Sequence, residues 1–355
     1  MAMTTTPGTS AAPAAAAEAE LGGRVLSIQS HVVQGYVGNK SAVFPLQLLG
    51  LDVDIINSVQ FSNHTGYKVF TGKRLGGDDL HELLDGMETN NLLADAHSHL
   101  LTGYIGSVSL LDAIVRVYER LRAAQSHPER LVYVCDPVMG DLGKLYVPLE
   151  LGACVCRVLF VQRATDSPRQ HVAADAVELY RTKVLPIADV LTPNQFECEQ
   201  LAEMALHTVA DAQAACRKLH TLGPRVVVIS SFQETAAATD DKRELVVIGS
   251  KVLVADALSP GANTAPLACE QFEVRFPWID SYYTGTGDLF AALLLAWLHR
   301  LPDNFARVLE NVVSTIQDVL QITLQLGGKD CDLKLIQSRH VIANPTVRFT
   351  ARRLA

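Results

Sequence analysis

No stretch of the 355-residue sequence reaches 18 consecutive apolar residues, so no segment reads as an ordinary membrane-spanning helix. An excess of cations is missing as well. The formal net charge is −8 with 19% charged residues, which gives no electrostatic case for nucleic acid or an anionic membrane as a partner. A polyphosphate substrate would have to draw positive charge from a metal ion or from backbone amides. Paired cysteines are also absent: Cys135, Cys154, Cys156, Cys198, Cys216, Cys269 and Cys331 are odd in number and form no C-x-x-C, as in a reduced intracellular protein with buried thiols. His97 and His99 stand two apart without the Cys or Glu pattern of a zinc site. Met1 to Gly23 lacks the positive start and apolar centre of a secretory signal. With Glu18 and Glu20 and no Arg before Arg24, it also departs from a transit peptide. Residues 1–23 are expected as a disordered tail on a cytoplasmic protein; plastid import is the alternative if that tail acts as a transit peptide.

What is present is alternation. Short β-branched runs at Arg24–Gln29, Asp52–Val59, Leu100–Tyr104, Leu131–Asp136, Ala188–Thr192 and Arg225–Ser231 read as strands. Between and after them, helical patterns cover Gly38–Gly50, Asp78–Leu93, Ser107–Gln125, Asn194–Met204, Thr208–Leu222, Gly287–Arg300 and Asn304–Leu326. Glu244–Val252 and Gln271–Arg275 suggest a pair of antiparallel edge strands. Repeated β-α-β units imply an α/β fold of three layers, a largely parallel central sheet with helices on both faces. Ligands of such sheets bind beyond the carboxyl ends of the strands. Polar clusters fall there: Ser30–His31, Ser62–Thr65, Thr102–Tyr104, Asp136–Asp141, Thr192–Glu197, Ser230–Ser231 and Gly285–Asp288.

The sharpest local signal is Thr284-Gly285-Thr286-Gly287-Asp288 before an apolar helix. Glycines let backbone approach a ligand, and the first turn of a helix has unpaired amides that favour an anion. Asp288 then has two readings, a helix-start acid facing the dipole or a group that orients an attacking hydroxyl. Two other glycine patterns fail as nucleotide motifs. In Gly35–Ser41, Asn39 occupies the place of the second P-loop glycine, leaving Lys40 as an ordinary helix cation. Gly285–Phe290 lacks the third glycine of a dinucleotide fingerprint and has no βαβ unit beyond it.

RVLSIQSHVVQGYVGNKSAVFPLQLLG, NSVQFSNHTGY, LTGY, VCDPVMGD, LTPNQFECEQL and GTGDLFAALLLAW occur in this order from about Arg24 to about Leu326. This series resembles the motifs of eukaryotic pyridoxal kinases, and the short GDLGKLYVP loop is similar to the plant and green-algal form. The resemblance implies a ribokinase-like fold and ATP-dependent phosphorylation of the 5′-hydroxymethyl of pyridoxal, pyridoxine and pyridoxamine. It also implies Mg²⁺ or another divalent cation, a monovalent cation (K⁺ or Na⁺) and a homodimer. By the same resemblance Asp288 is the catalytic aspartate, with Gly285, Thr286 and Gly287 around the phosphoryl group. Ser30 bonds the pyridine ring, His64 and Thr65 contact the substrate, and Val37, Phe61 and Tyr104 form the ring's walls. For Val37 and Phe61, plain core packing is the competing reading. Asp136 and Asp141 match the acids near the phosphates and metal. Thr192, Asn194 and Glu197 match the segment that binds the monovalent cation and the nucleotide–metal complex, although Asn194 also reads as a helix cap. Ser230 and Ser231 match a pair that reaches the phosphates; Ile279, Asp280 and Ser281 match a segment alongside the nucleotide.

The resemblance breaks at about residues 151–176, which read either as a surface insertion or as translated intron sequence. The expected organisation is a tail at 1–23, a kinase domain at 24–345 carrying that segment, and a C-terminal tail at 346–355. A related hydroxymethylpyrimidine or sugar kinase is the alternative enzyme, and a non-catalytic pyridoxal phosphate carrier the alternative of another class. A Schiff-base enzyme finds no marked lysine, since Lys68 and Lys73 read as surface cations.

Overall fold

The computed structural model describes residues 22–141, 144–145, 176–234, 243–253, 267–329 and 331–355. Ten strands form one sheet in the order β12-β11-β10-β9-β8-β5-β4-β1-β2-β3. They are β1 (Gly23–Val32), β2 (Leu51–Phe61), β3 (Gly72–Arg74), β4 (His99–Thr102), β5 (Val132–Cys135), β8 (Val190–Leu191), β9 (Val226–Phe232), β10 (Glu244–Val252), β11 (Cys269–Pro277) and β12 (Arg352–Arg353). The centre, from β2 through β1, β4, β5 and β8 to β9, is parallel throughout. Both margins are antiparallel, β3 on β2 at one side and β10, β11 and β12 at the other. A separate short ribbon pairs β6 (Gly140–Asp141) with β7 (Lys144–Leu145).

The apolar runs make this sheet because they can be covered twice. Leu26 and Ile28 of β1 face one core with helices α2 (Gly77–Thr89), α3 (Val108–Ala123), α4 (Gln195–Ala202) and α5 (Val209–His220), through Leu80, Ile114, Leu201 and Leu219. Val25 faces the other, against α1 (Asn39–Leu48), α6 (Thr286–Arg300) and α7 (Phe305–Gly327), through Leu46, Leu293 and Val312. Each such side chain, fully buried, stabilises the fold by roughly 1.5–3 kcal/mol. The expected three-layer architecture is therefore present, with a parallel centre inside a mixed sheet.

Two expectations change. Glu244–Val252 and Gln271–Arg275 do pair antiparallel, but the pair is not the margin of the sheet. Residues 346–355, expected as a tail, strap that margin instead: Phe272 and Glu273 pair with Arg353 and Arg352, and Leu354 donates to the Gln271 carbonyl. An ion pair accompanies this backbone pairing. Glu273, only 2% exposed, takes its second cation from Arg352, which lies 2.6 Å from Oε1. Met1 to Leu21, and all of 151–176 except Ala176, lie outside the described residues. A short helix, α8 (Arg339–Ala343), precedes the strap.

Candidate active site

The carboxyl ends of the parallel strands converge on the start of α6. Gly285 caps that helix at φ +83°, with no side chain capping the first amides. A Cβ at this position would stand 2.0 Å from the Tyr36 carbonyl oxygen, so only glycine admits the contact. The Ser41 hydroxyl donates to the Gly285 carbonyl at 2.8 Å and fastens α1 to the same turn. The first α6 amides are thus left for an anion, as the sequence suggested.

Gly38 joins two groups that the sequence placed 258 residues apart, Ser30 and Asp288. Its N–H donates to Asp288 Oδ2 at 2.8 Å. Its φ is +53°, and a Cβ would meet the Ser30 carbonyl oxygen at 2.0 Å and Ser30 Oγ at 2.4 Å. Burial pushes the Asp288 pKa up, and the Gly38 amide bond opposes that shift. Nothing in the sequence reading marked Gly38 as more than the start of a helix.

Asp136, 5% exposed, closes the phosphate side. Gly287 faces it: a Cβ there would lie 3.7 Å from Asp136 Oδ2, an oxygen without a hydrogen-bond partner. Burial, then the negative charges of Glu197 and Asp288, drive the Asp136 pKa well above the usual carboxylate range. A buried, unsatisfied carboxylate oxygen among other acids is what a divalent cation neutralises, so Asp136 fits such an ion. Among the described residues, no three acidic, histidine or cysteine side chains cluster as a metal cage. Phosphate oxygens and water would therefore supply the remaining ligands, as suits Mg²⁺. Asp141 lies on β6, paired with Lys144.

Glu197 is held by backbone amides. Its Oε1 accepts from the Met139 and Gly140 amides at 3.0 and 3.5 Å, and Oε2 accepts from the Asn194 amide at 3.0 Å. In this structure the carboxylate holds the loop after Asp136 and adds its charge to the site. Asn194 is likewise spent on structure, its Oδ1 accepting from the Glu197 amide and its Nδ2 donating to the Gly140 carbonyl. Its geometry matches the helix-cap reading. Thr192 is buried beside Asp136 and donates to the Cys135 carbonyl at 3.5 Å. Ser230 bonds the Pro193 carbonyl through its amide, and Ser231 follows it on β9. Ile279, Asp280 and Ser281 precede the α6 turn. The Ser281 amide donates to Ile279, and exposed Asp280 pairs with Lys329. Thr286 donates to the Tyr283 carbonyl at 3.4 Å.

The proposed ring walls do meet. Val37, Phe61 and Tyr104 share one small apolar cluster with Val32, Val59 and Phe70. The register of β1 on β2 slips between Gln29 and Ser30, leaving Ser58 as an extra residue whose hydroxyl donates to the Tyr104 carbonyl at 2.6 Å. His64 and exposed Thr65 sit on the loop beyond Phe61, the His64 ring tilted at 56° to that of Tyr67 with centroids 4.6 Å apart. Burial lowers the His64 pKa, and Asp332, on the segment after α7, opposes that shift. Asp332 also accepts from Gln34 Nε2 at 3.1 Å, so it ties this segment to the rim; sequence reasoning missed it. The dismissed P-loop stays dismissed. Asn39 Nδ2 donates to the Ile56 carbonyl and Asn57, while Lys40 donates to the Val33 carbonyl at 2.8 Å.

An amide-lined helix start, an acid beside it and an apolar cluster of Val37, Phe61 and Tyr104 suit a small-molecule kinase of the ribokinase-like class. A family model described as phosphomethylpyrimidine kinase matches residues 161–330. The chain is 46% identical over 339 residues to pyridoxal kinase of Arabidopsis thaliana, covering 93% of this chain and 94% of that one. It is 38% identical to pyridoxal kinase of Homo sapiens, covering 91% and 96%. Among solved structures, pyridoxal kinase from Leishmania donovani in complex with ADP and pyridoxamine superposes with a TM-score of 0.75 at 32% identity, covering 94% of this chain and 99% of that one. The chain belongs to the pyridoxal kinase family and is a phosphotransferase that works with ATP and a divalent metal.

Proposed function

We propose that the chain transfers the γ-phosphoryl group of ATP to the 5′-hydroxymethyl of pyridoxal, pyridoxine and pyridoxamine. The observation that carries this reading is Gly38, whose amide grips the Asp288 carboxylate at 2.8 Å at a place where any Cβ would collide with Ser30. A ring held at Ser30 between Val37, Phe61 and Tyr104 would turn its hydroxymethyl toward Asp288. Asp288 accepts the hydroxyl proton and aims the oxygen; in a loose phosphoryl-transfer transition state the proton leaves late, so a carboxylate suffices. The amides of Thr286, Gly287 and Asp288 face the equatorial phosphoryl oxygens. A divalent ion at Asp136 would neutralise phosphate charge.

Three finer elements belong to the same reading. A monovalent cation, K⁺ or Na⁺, near Thr192 would add positive charge where Asp136 and Glu197 crowd; turnover independent of both ions would overturn this. The chain is taken as a homodimer, which a molar mass measured in solution decides. It is taken as cytoplasmic, and plastid import directed by residues 1–23 would overturn that compartment. The decisive test is ADP release coupled to pyridoxal, with kcat/KM compared against hydroxymethylpyrimidine. A preference for the pyrimidine would replace this reading with the related kinase, and ADP release with neither substrate would end it.

A further inference from the structure

Arg74 stands in the wall of the ring pocket, where neither the motif series nor the apolar pattern calls for a cation. It is the last residue of β3 and pairs opposite Val59 on β2, so its side chain leaves the same face of the sheet as Val59 and Phe61. The guanidinium lies over the Phe61 ring, 5.3 Å from its centroid, and reaches the Tyr104 hydroxyl. Among the described residues no carboxylate pairs with Arg74, and its Nε is buried without an acceptor. A partly buried donor left unsatisfied next to two proposed wall residues calls for an acceptor from outside the chain.

We propose that Arg74 determines vitamer choice: its fixed charge at the Phe61–Tyr104 wall favours a ring bearing an anionic 3-oxygen and a neutral 4-substituent, and disfavours one bearing a cationic 4-aminomethyl. This rests on the B6 reading above and goes beyond it. The three vitamers share ring and acceptor hydroxyl and differ at the 4-position, where pyridoxamine carries a protonated amine and pyridoxine a neutral alcohol. Two like charges about 6–8 Å apart at an effective dielectric near 20 separate the substrates by roughly 30–100-fold in kcat/KM. Arg74 acts on which ring is bound, not on the phosphoryl group, so the ATP side is untouched.

The test uses the full chain and the ratio of kcat/KM for pyridoxine to that for pyridoxamine. The wild type is expected to favour pyridoxine by roughly 30–100-fold. Arg74→Met, which keeps apolar cover on Phe61, is expected to bring the ratio near one with KM for ATP unchanged, and Arg74→Lys to keep the wild-type ratio. An unchanged ratio in a folded Arg74→Met variant would overturn the proposal. So would equal use of the two vitamers by the wild type, a result that needs no variant. Turnover of neither vitamer would instead sink the B6 reading on which the inference stands.

Discussion

Asp288 carries an acid whose ionised form is disfavoured by burial and rescued by one amide. Replacing it with Ala removes the group that orients the hydroxyl, and kcat is expected to fall by about 10²–10⁴-fold with ATP binding retained. Single-turnover ADP formation measures this, and near-normal turnover would refute the assignment. The pH dependence follows from the direction of the shift. The working form is the carboxylate and its pKa is raised, so kcat/KM falls with acidification sooner than an unperturbed aspartate would allow. The acid limb is therefore expected above the ordinary aspartate range. The neighbouring Asp136 answers in the opposite sense to its present strain: part of its raised pKa comes from the Asp288 charge, so Asp288→Ala is expected to lower it. Carboxyl chemical shifts followed through a pH titration would show whether that coupling exists.

Between elements, the joint of α1, β1 and α6 is where sequence and structure part company. The alternating β and α segments were legible because each is long enough to show its period, and the glycine-rich start of α6 was legible because anion binding requires glycine in a known arrangement. β3, α8 and β12 were not, being three, five and two residues long and too short for any periodicity. Arg74 and Asp332 were missed for a second reason: their partners lie on other elements, and no local pattern announces a contact such as Asp332 with Gln34, 298 residues away. Gly38 belongs to this class, since its need for glycine arises only when β1 and α6 are both in place. Gly38→Ala should then fail twice. Its φ of +53° with ψ of −131° lies outside the left-handed helical region and is expected to cost about 1–3 kcal/mol with alanine, to which the clash with Ser30 adds. The displaced amide would also release Asp288. A loss of kcat larger than the loss of stability, read by pairing turnover with urea unfolding, separates the joint from simple destabilisation.

Over the whole molecule, the C-terminal strap closes the sheet's far margin with charge. Glu273 is almost wholly buried, which by itself would raise its pKa, yet hydrogen bonds and charge from Arg275 and Arg352 prevail and hold it lowered. A carboxylate whose folded pKa is depressed contributes stability above its unfolded pKa and loses it as pH falls through the folded value. Arg352→Ala leaves Arg275 as the only described cation on Glu273 and removes a charge-assisted bond that anchors β12. The expected loss is about 1.5–3 kcal/mol near neutral pH. It should shrink as pH drops below the folded pKa of Glu273, because the wild type then forfeits the same interaction. Urea unfolding of both proteins from neutral pH down into the carboxylate range tests this. Curves that stay parallel at every pH would mean that the strap is held by its backbone pairing and the packing of Phe349 on Phe276, not by the buried acid. Either way the active site lies at the strands' carboxyl ends, so kcat in Arg352→Ala is expected to hold near the wild-type value wherever the protein is folded.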